Sequence, residues 1–286
     1  MNLETRAEKT LRSYSFADLR AEGMSRGRIV RALDCGALLR ARRDVYVSAE
    51  AGPRAFAAAR VGGRLDCVSA MRERGVFVRE HTRLHVQVPR NGSRLRSPQD
   101  RGRRRAREDA VVVHWCDDPA PGHALLTDRV ASLARAVRCQ SPRDAVATID
   151  SALHLGVIDG IELGDVFALL PHRYRVLRPL VDGRAESGPE TLARLALRSL
   201  GKRIDVQVRI SGVGRVDLVV DGWIVVECDS REFHSSWNAQ AEDRRRDLAL
   251  ATLGYVSVRV TARMIFDEPN VLVEAVRGLL ASRGRL

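Results

Sequence analysis

The stretch that most constrains this chain is Arg215–Asp229, where two strand-like runs meet across Asp221-Gly222-Trp223. Val216, Leu218, Val220, Ile224, Val226 and Cys228 form one apolar set, while Arg215, Asp217, Glu227 and Asp229 fall on the opposite face. A period of two predicts strands, and Asp-Gly between them predicts a turn. Loop parity then decides what the hairpin can carry. A three-residue loop, or a bulge, sets Asp217 opposite Glu227; a two-residue Asp-Gly turn pairs Asp217 with Val226 and separates the acids. The alternation favours the odd loop or bulge, so Asp217, Glu227 and Asp229 converge at one sheet end. Carboxylates gathered there repel one another unless a proton or cation compensates. A hard divalent ion such as Mg²⁺ takes oxygen donors of this kind. Charges simply facing solvent from an edge hairpin are the competing reading.

The flanking sequence predicts the rest of an α+β unit. A helix over Pro189–Leu200 buries Leu192, Leu195, Ala196 and Leu200, and Gly201 closes it. Val206, Val208 and Ile210 form a strand before the hairpin. A helix from about Ala239 to Leu253 ends at Gly254, a strand covers Tyr255–Val260, and a helix follows over Asn270–Ala281. The order is αβββαβ, preceded by Pro, Asp-Gly and Ser-Gly breaks between Pro179 and Gly188. Glu190 stands three residues after Ser187, a spacing that suits a capping box as well as a place among the acids. Arg244, Arg245 and Arg246 either pair with Glu242, Asp243 and Asp247 along their helix or put a guanidinium on phosphate.

Glu190, Gln207–Asp217, Val225–Asp229, Phe233-His234 and Asp243–Asp247 resemble, in order and spacing over about 190–265, a very-short-patch-repair (Vsr-like) endonuclease domain of the PD-(D/E)xK superfamily. The resemblance implies a restriction-endonuclease-like fold and a Mg²⁺- or Mn²⁺-dependent deoxyribonuclease. It implies Asp217 and Glu227 as metal ligands with Glu190 joining them, and Asp217, Glu227, Asp229 and His234 as the catalytic set. Asp229 stands where the superfamily has lysine, and Lys9 and Lys202 are the chain's only lysines. Vsr-like enzymes carry histidines there and five residues later, which implies that His234 polarises water or protonates the leaving group. Cys228-Asp229-Ser230 replaces the family's Val-Asp-Gly.

The N-terminal fifty residues read as helix, turn, helix and hairpin. Ser15-Phe16-Ala17-Asp18-Leu19 starts one helix, Ser25 caps a second with Ile29, Val30 and Leu33 inward, and two short β segments follow at 38–40 and 44–47. Ser25–Val47 resembles the winged helix of AbiEi-like antitoxins, with Asp44 where a glycine is usual. That implies DNA contacts from Arg26, Arg28 and Arg31 on the second helix and from Arg40, Arg42 and Arg43 in the wing, protein docking being the alternative. Residues 51–180 form a mixed middle region: helices over 54–75, strands at 84–88 and 111–115, and helices from Thr127 to about Phe167. The arginine-rich loop over 90–107, with Arg103, Arg104 and Arg105, is either a solvated segment or a phosphate-contacting arm. Residues 181–286 complete a three-part division.

A net charge of +12 and a pI near 10.5 suit a polyanionic partner such as DNA. The absence of a long apolar run and of a secretory leader leads us to expect a cytoplasmic protein without a membrane partner. The five cysteines form no C-x-x-C pair, so they are expected to be reduced thiols in apolar surroundings rather than a zinc knuckle. His114, His123 and His154 are too far apart in sequence to be read as ligands. Two functions compete: a metal-dependent DNA endonuclease, and a non-enzymatic DNA-binding regulator carrying a degenerate nuclease fold.

Overall fold

A computed structural model describes residues 11–116, 123–229 and 237–283, the last stretch with side chains from residue 242 onward. The chain divides into two compact units, residues 1–139 with 157–171 and residues 140–156 with 172–286. Both are mixed α and β, with the described strands in three small sheets. No described helix is long and apolar enough to cross a membrane.

The first unit begins with β1 (Ser13–Tyr14), α1 (Phe16–Ala21), α2 (Arg26–Asp34), β2 (Leu38–Arg42) and β3 (Val45–Ser48). Ser15 and Asp18 form a reciprocal capping box on α1, and the Ser25 hydroxyl accepts from Arg28 N–H to start α2. Leu19, Ile29, Leu38 and Tyr46 bury against one another and hold both helices on the hairpin. The turn between β2 and β3 manages without glycine. Asp44 takes a left-handed φ of 56°, which a short polar side chain tolerates, and its carboxylate accepts from Phe16 N–H at 2.8 Å.

Next come α3 (Gly52–Val61), β4 (Arg64–Leu65), α4 (Cys67–Glu73), β5 (Leu84–Val88), β6 (Val111–Trp115) and α5 (Arg129–Cys139). The strands lie in the order β4-β5-β6, with β5 and β6 parallel. Ala55, Ala58, Val61, Leu65, Val86 and Val88 are part of the core beneath them. Helices α4 and α5 pack together, and the fully buried Asp66 joins them by an ion pair to Arg135 at 2.5 Å. The Asp66 carboxylate also accepts from the Thr127 hydroxyl at 2.8 Å. The chain then passes through α6 (Pro142–His154), which belongs to the second unit, and α7 (Gly160–Ala168), which belongs to the first.

The second unit continues with α8 (Gly188–Leu197), β7 (Ile204–Ile210), β8 (Gly214–Val220), β9 (Ile224–Asp229), α9 (Trp237–Thr252), β10 (Val256–Thr261), α10 (Ala262–Asp267) and α11 (Pro269–Arg283). From α8 to β10 this is the αβββαβ order read from the sequence; the short helix α10 was not foreseen. The sheet order is β10-β9-β8-β7, an antiparallel meander with β10 added parallel to β9. Leu218 pairs with Val226, Val219 with Val225 and Val220 with Ile224, which leaves Asp221, Gly222 and Trp223 as the loop. The loop is therefore odd, and Asp221 takes a φ of 54° to make it. Both hairpin faces are covered: Val219 and Val225 cluster with Leu250 of α9, and α8 packs on β8 and β9. The Pro179–Gly188 stretch runs inside this unit. Asp182 N–H donates to buried Asp150 of α6 at 2.8 Å, and Thr191 and Arg194 of α8 donate to the same carboxylate, each at 2.8 Å.

Candidate functional site

The acids of the hairpin lie where its backbone ladder gives way to side chains. Continuing the register past Leu218 and Val226 brings Asp217 level with Glu227. There Asp217 N–H donates to a Glu227 carboxylate oxygen at 3.3 Å, and Cys228 N–H donates to the Asp217 carboxylate at 2.8 Å. Glu227 is only 7% exposed, so it does not face solvent from an edge. Glu190 arrives from the first turn of α8, where Ser187 caps the helix through Glu190 N–H. The Glu190 carboxylate accepts from Glu186 N–H at 2.9 Å and from the Gln207 amide at 2.8 Å. The capping box is therefore not completed: Ser187 caps through Glu190 N–H, but the Glu190 carboxylate goes to Glu186 N–H and to Gln207, beside the acids. The Gln207 amide also reaches Asp217, at 3.4 Å.

Gln207 was not among the sequence-derived site residues, although it opens the Gln207–Asp217 stretch that precedes the acids. It takes a left-handed φ of 54° in the middle of β7, between Val206 facing Leu218 and Val208 facing Val216. Such a backbone costs about 1–3 kcal/mol for a non-glycine residue and gathers at functional sites. Here it accompanies an amide set between two carboxylates.

The electrostatics of the group are those of excess negative charge. Burial pushes the Asp217 carboxyl above its ordinary range, and the nearby Glu190 charge adds to the effect. Burial, then the Asp217 charge, push Glu227 up to about 7, against the pull of Arg246. Arg246, on α9, donates to Glu227 at 3.0 Å and to the Arg215 carbonyl at 2.6 Å. The donors are all oxygen and largely buried, and Asp217 and Glu227 hold protons more tightly than free carboxylates. That chemistry fits a hard divalent cation. Gln207 and Arg246 meanwhile stand among the acids. Among the described residues, the one group of three or more acid, Cys or His side chains with donor atoms all within 4.8 Å lies in the other unit.

Asp229 stands apart from this group. Its side chain is 49% exposed and lies 3.7 Å from Arg259, which also meets Asp243 at 3.4 Å and Asp247 at 3.2 Å. Arg259 pairs across the sheet with Glu227, a placement that no short motif announced. His234 lies outside the described residues. Of the three neighbouring arginines, Arg246 faces the acids, whereas Arg244 and Arg245 are exposed and Arg245 sits 3.6 Å from Glu242. Cys228 contributes its backbone N–H; its buried thiol is pushed up by burial and by the surrounding carboxylates.

In the first unit the expected arginines divide into exposed and committed groups. Arg26, Arg28, Arg31 and Arg43 are exposed. Arg42 turns inward, donating to the Val61 and Arg94 carbonyls at 3.5 and 3.3 Å. It crosses Gly62, where an added Cβ would come within 1.8 Å of the guanidinium. Arg40, Arg42, Arg43, Arg96 and Arg101 line a cleft of about 730 Å³. The 90–107 loop is extensively tied down: Arg96 donates to Gly102 O, Arg60 to the Pro98 and Gln99 carbonyls, and Arg103 pairs with Asp109. Arg104 is exposed and bridges to Arg96 through the backbone, and Arg105 N–H donates to Leu95 O.

The fold corrects the reading of the cysteines. Cys35 and Cys139 are exposed, while Cys67 and Cys228 are buried. Cys67 and Cys139 meet His85 and His114, with all four donor atoms within 4.8 Å of one another. Local spacing could not show this, because each residue comes from a different element. The chain matches no protein-family model and no curated protein.

Proposed function

We propose that the second unit is a divalent-metal-dependent phosphodiesterase acting on DNA, and that the arginines of the first unit bind the duplex. The observation that carries this reading is the pair of half-buried Asp217 and buried Glu227, whose negative charge exceeds what Arg246 offsets. Asp217 and Glu227, with Glu190 beside them, would hold Mg²⁺ or Mn²⁺. Bound there, the ion supplies positive charge against a scissile phosphate and lowers the pKa of water.

The chain's own groups have separate tasks. The Cys228 N–H fixes the Asp217 carboxylate, and Gln207 orients both Asp217 and Glu190. Arg246 neutralises Glu227 and presents a guanidinium suited to phosphate oxygens. Asp229 and Arg259 form the polar rim beside Glu227. Exposed Arg26, Arg28, Arg31 and Arg43 and the arginine-lined cleft supply contacts to the phosphate backbone that position DNA without specifying its sequence.

A second reading, a DNA-binding regulator without catalysis, draws on one observation: Arg246 already occupies an oxygen of Glu227. Cleavage of plasmid and short duplexes with Mg²⁺ or Mn²⁺ separates the two. Wild-type protein should cut, and Asp217→Ala and Glu227→Ala should each lower the rate on the order of a thousandfold while retaining duplex binding. Wild-type binding without cleavage in either metal would leave the regulator.

A further inference from the structure

Four ligand-capable side chains in the first unit aim at one point. Cys67 opens α4, His85 is on β5, His114 is on β6 and Cys139 ends α5. In the parallel β5–β6 register His85 pairs with Val112 and Gln87 with His114, so both imidazoles lie on one face of the sheet. His85 Nδ1 and His114 Nε2 are 3.2 Å apart. Tetrahedral Zn²⁺ with metal–nitrogen bonds of about 2.0 Å has a nitrogen–nitrogen edge of about 3.3 Å. The two thiols complete the set within 4.8 Å.

The surroundings hold these donors in place. Cys67 is fully buried and takes a left-handed φ of 54°. A non-glycine residue keeps such a backbone only where its neighbours over-determine it, at a cost of about 1–3 kcal/mol. Those neighbours are visible. Asp66, next in sequence to Cys67, contacts Arg135, one helical turn before Cys139 on α5. Ser69 of α4 accepts from His85 N–H at 2.9 Å, and His85 O accepts from Asp66 N–H at 3.1 Å.

From this geometry we infer that Cys67, His85, His114 and Cys139 form a structural Zn²⁺ site that ties α4 and α5 to the β5–β6 pair. Two sulfurs and two imidazole nitrogens in a compact set select zinc over a hard cation. Four protein ligands leave no open position for substrate, so the ion's role is architectural. The inference is independent of the phosphodiesterase reading.

The test is the metal content of the full chain purified without chelator. About one zinc per chain is expected, together with a thiolate-to-cobalt charge-transfer band when Co²⁺ replaces it. Cys139→Ser, at an exposed position, and His114→Ala should each weaken metal binding about tenfold or more. Cys35→Ser and Asp217→Ala should leave the zinc in place. Folded wild-type protein with less than about a tenth of an equivalent of zinc and no cobalt–thiolate band would overturn the site. So would a Cys67–Cys139 disulfide in the freshly purified chain, or zinc that is lost with Asp217→Ala and kept in Cys139→Ser. The cobalt band is read on wild-type protein, so it decides the matter even where a variant fails to fold.

Discussion

The Cys/His cluster of the first unit and the carboxylate cluster of the second meet the same electrostatic problem in opposite ways. In the first, donors able to be neutral touch directly, imidazole to imidazole at 3.2 Å, because sharing protons costs little. In the second, the donors are acids, and close approach multiplies repulsion in a poorly solvated setting. There the Gln207 amide spans two carboxylates and Arg246 leans on a third. The first arrangement is closed and suits an ion that stays. The second keeps charged, half-buried oxygens beside an exposed rim, which suits a site through which substrate must pass.

The sharpest way to break this comparison is to cut the support behind one cluster and watch the other. Asp66→Ala leaves Arg135, whose side chain is 17% exposed, without its partner. It should lower the stability of the first unit by about 3 kcal/mol or more, seen in denaturant melts as an earlier first transition with the second unmoved. Equal loss in both transitions would contradict the independence of the two clusters.

A smaller effect comes from pH. Glu227 rises in the folded chain from the ordinary 4.5 to about 7. Between those values the folded state binds more protons than the unfolded one, so Glu227 makes stability fall as pH rises. The decline is at most about 1.4 kcal/mol per pH unit for one group. Without added divalent cation, Glu227→Gln should flatten that part of the stability profile. An unchanged slope would show that the acids are already compensated.

The smallest effect concerns DNA. Arg43→Ala should reduce the salt slope of duplex binding by about one. Arg103→Ala should change it less, because Arg103 is already paired with Asp109.

The two clusters also differ in how they could be read from sequence. Asp217 and Glu227 were legible because strand alternation has a fixed period, so loop parity alone sets which residues face each other. The choice of Arg246 over Arg244 and Arg245 was not legible. All three sit in a helix charged on several sides, and only its packing beside β8 and β9 selects one. The left-handed Gln207 was hidden as well, since glutamine carries no conformational signature of the kind glycine does. The Cys/His group escaped for a different reason. Its members are brought together by strand register and helix packing, and rules of ligand spacing work only where one short loop supplies a pair.

The passage of the chain through α6 and α7 has a consequence for how the protein is made. Residues 140–156 join the second unit, yet the first is complete only with 157–171. On a ribosome the first unit must therefore wait for α7, while α6 emerges before α8, the helix it will pack against. No single cut can release one unit whole. A truncation at 139 strips the first of α7, and a start at 172 deprives Arg194 of Asp150.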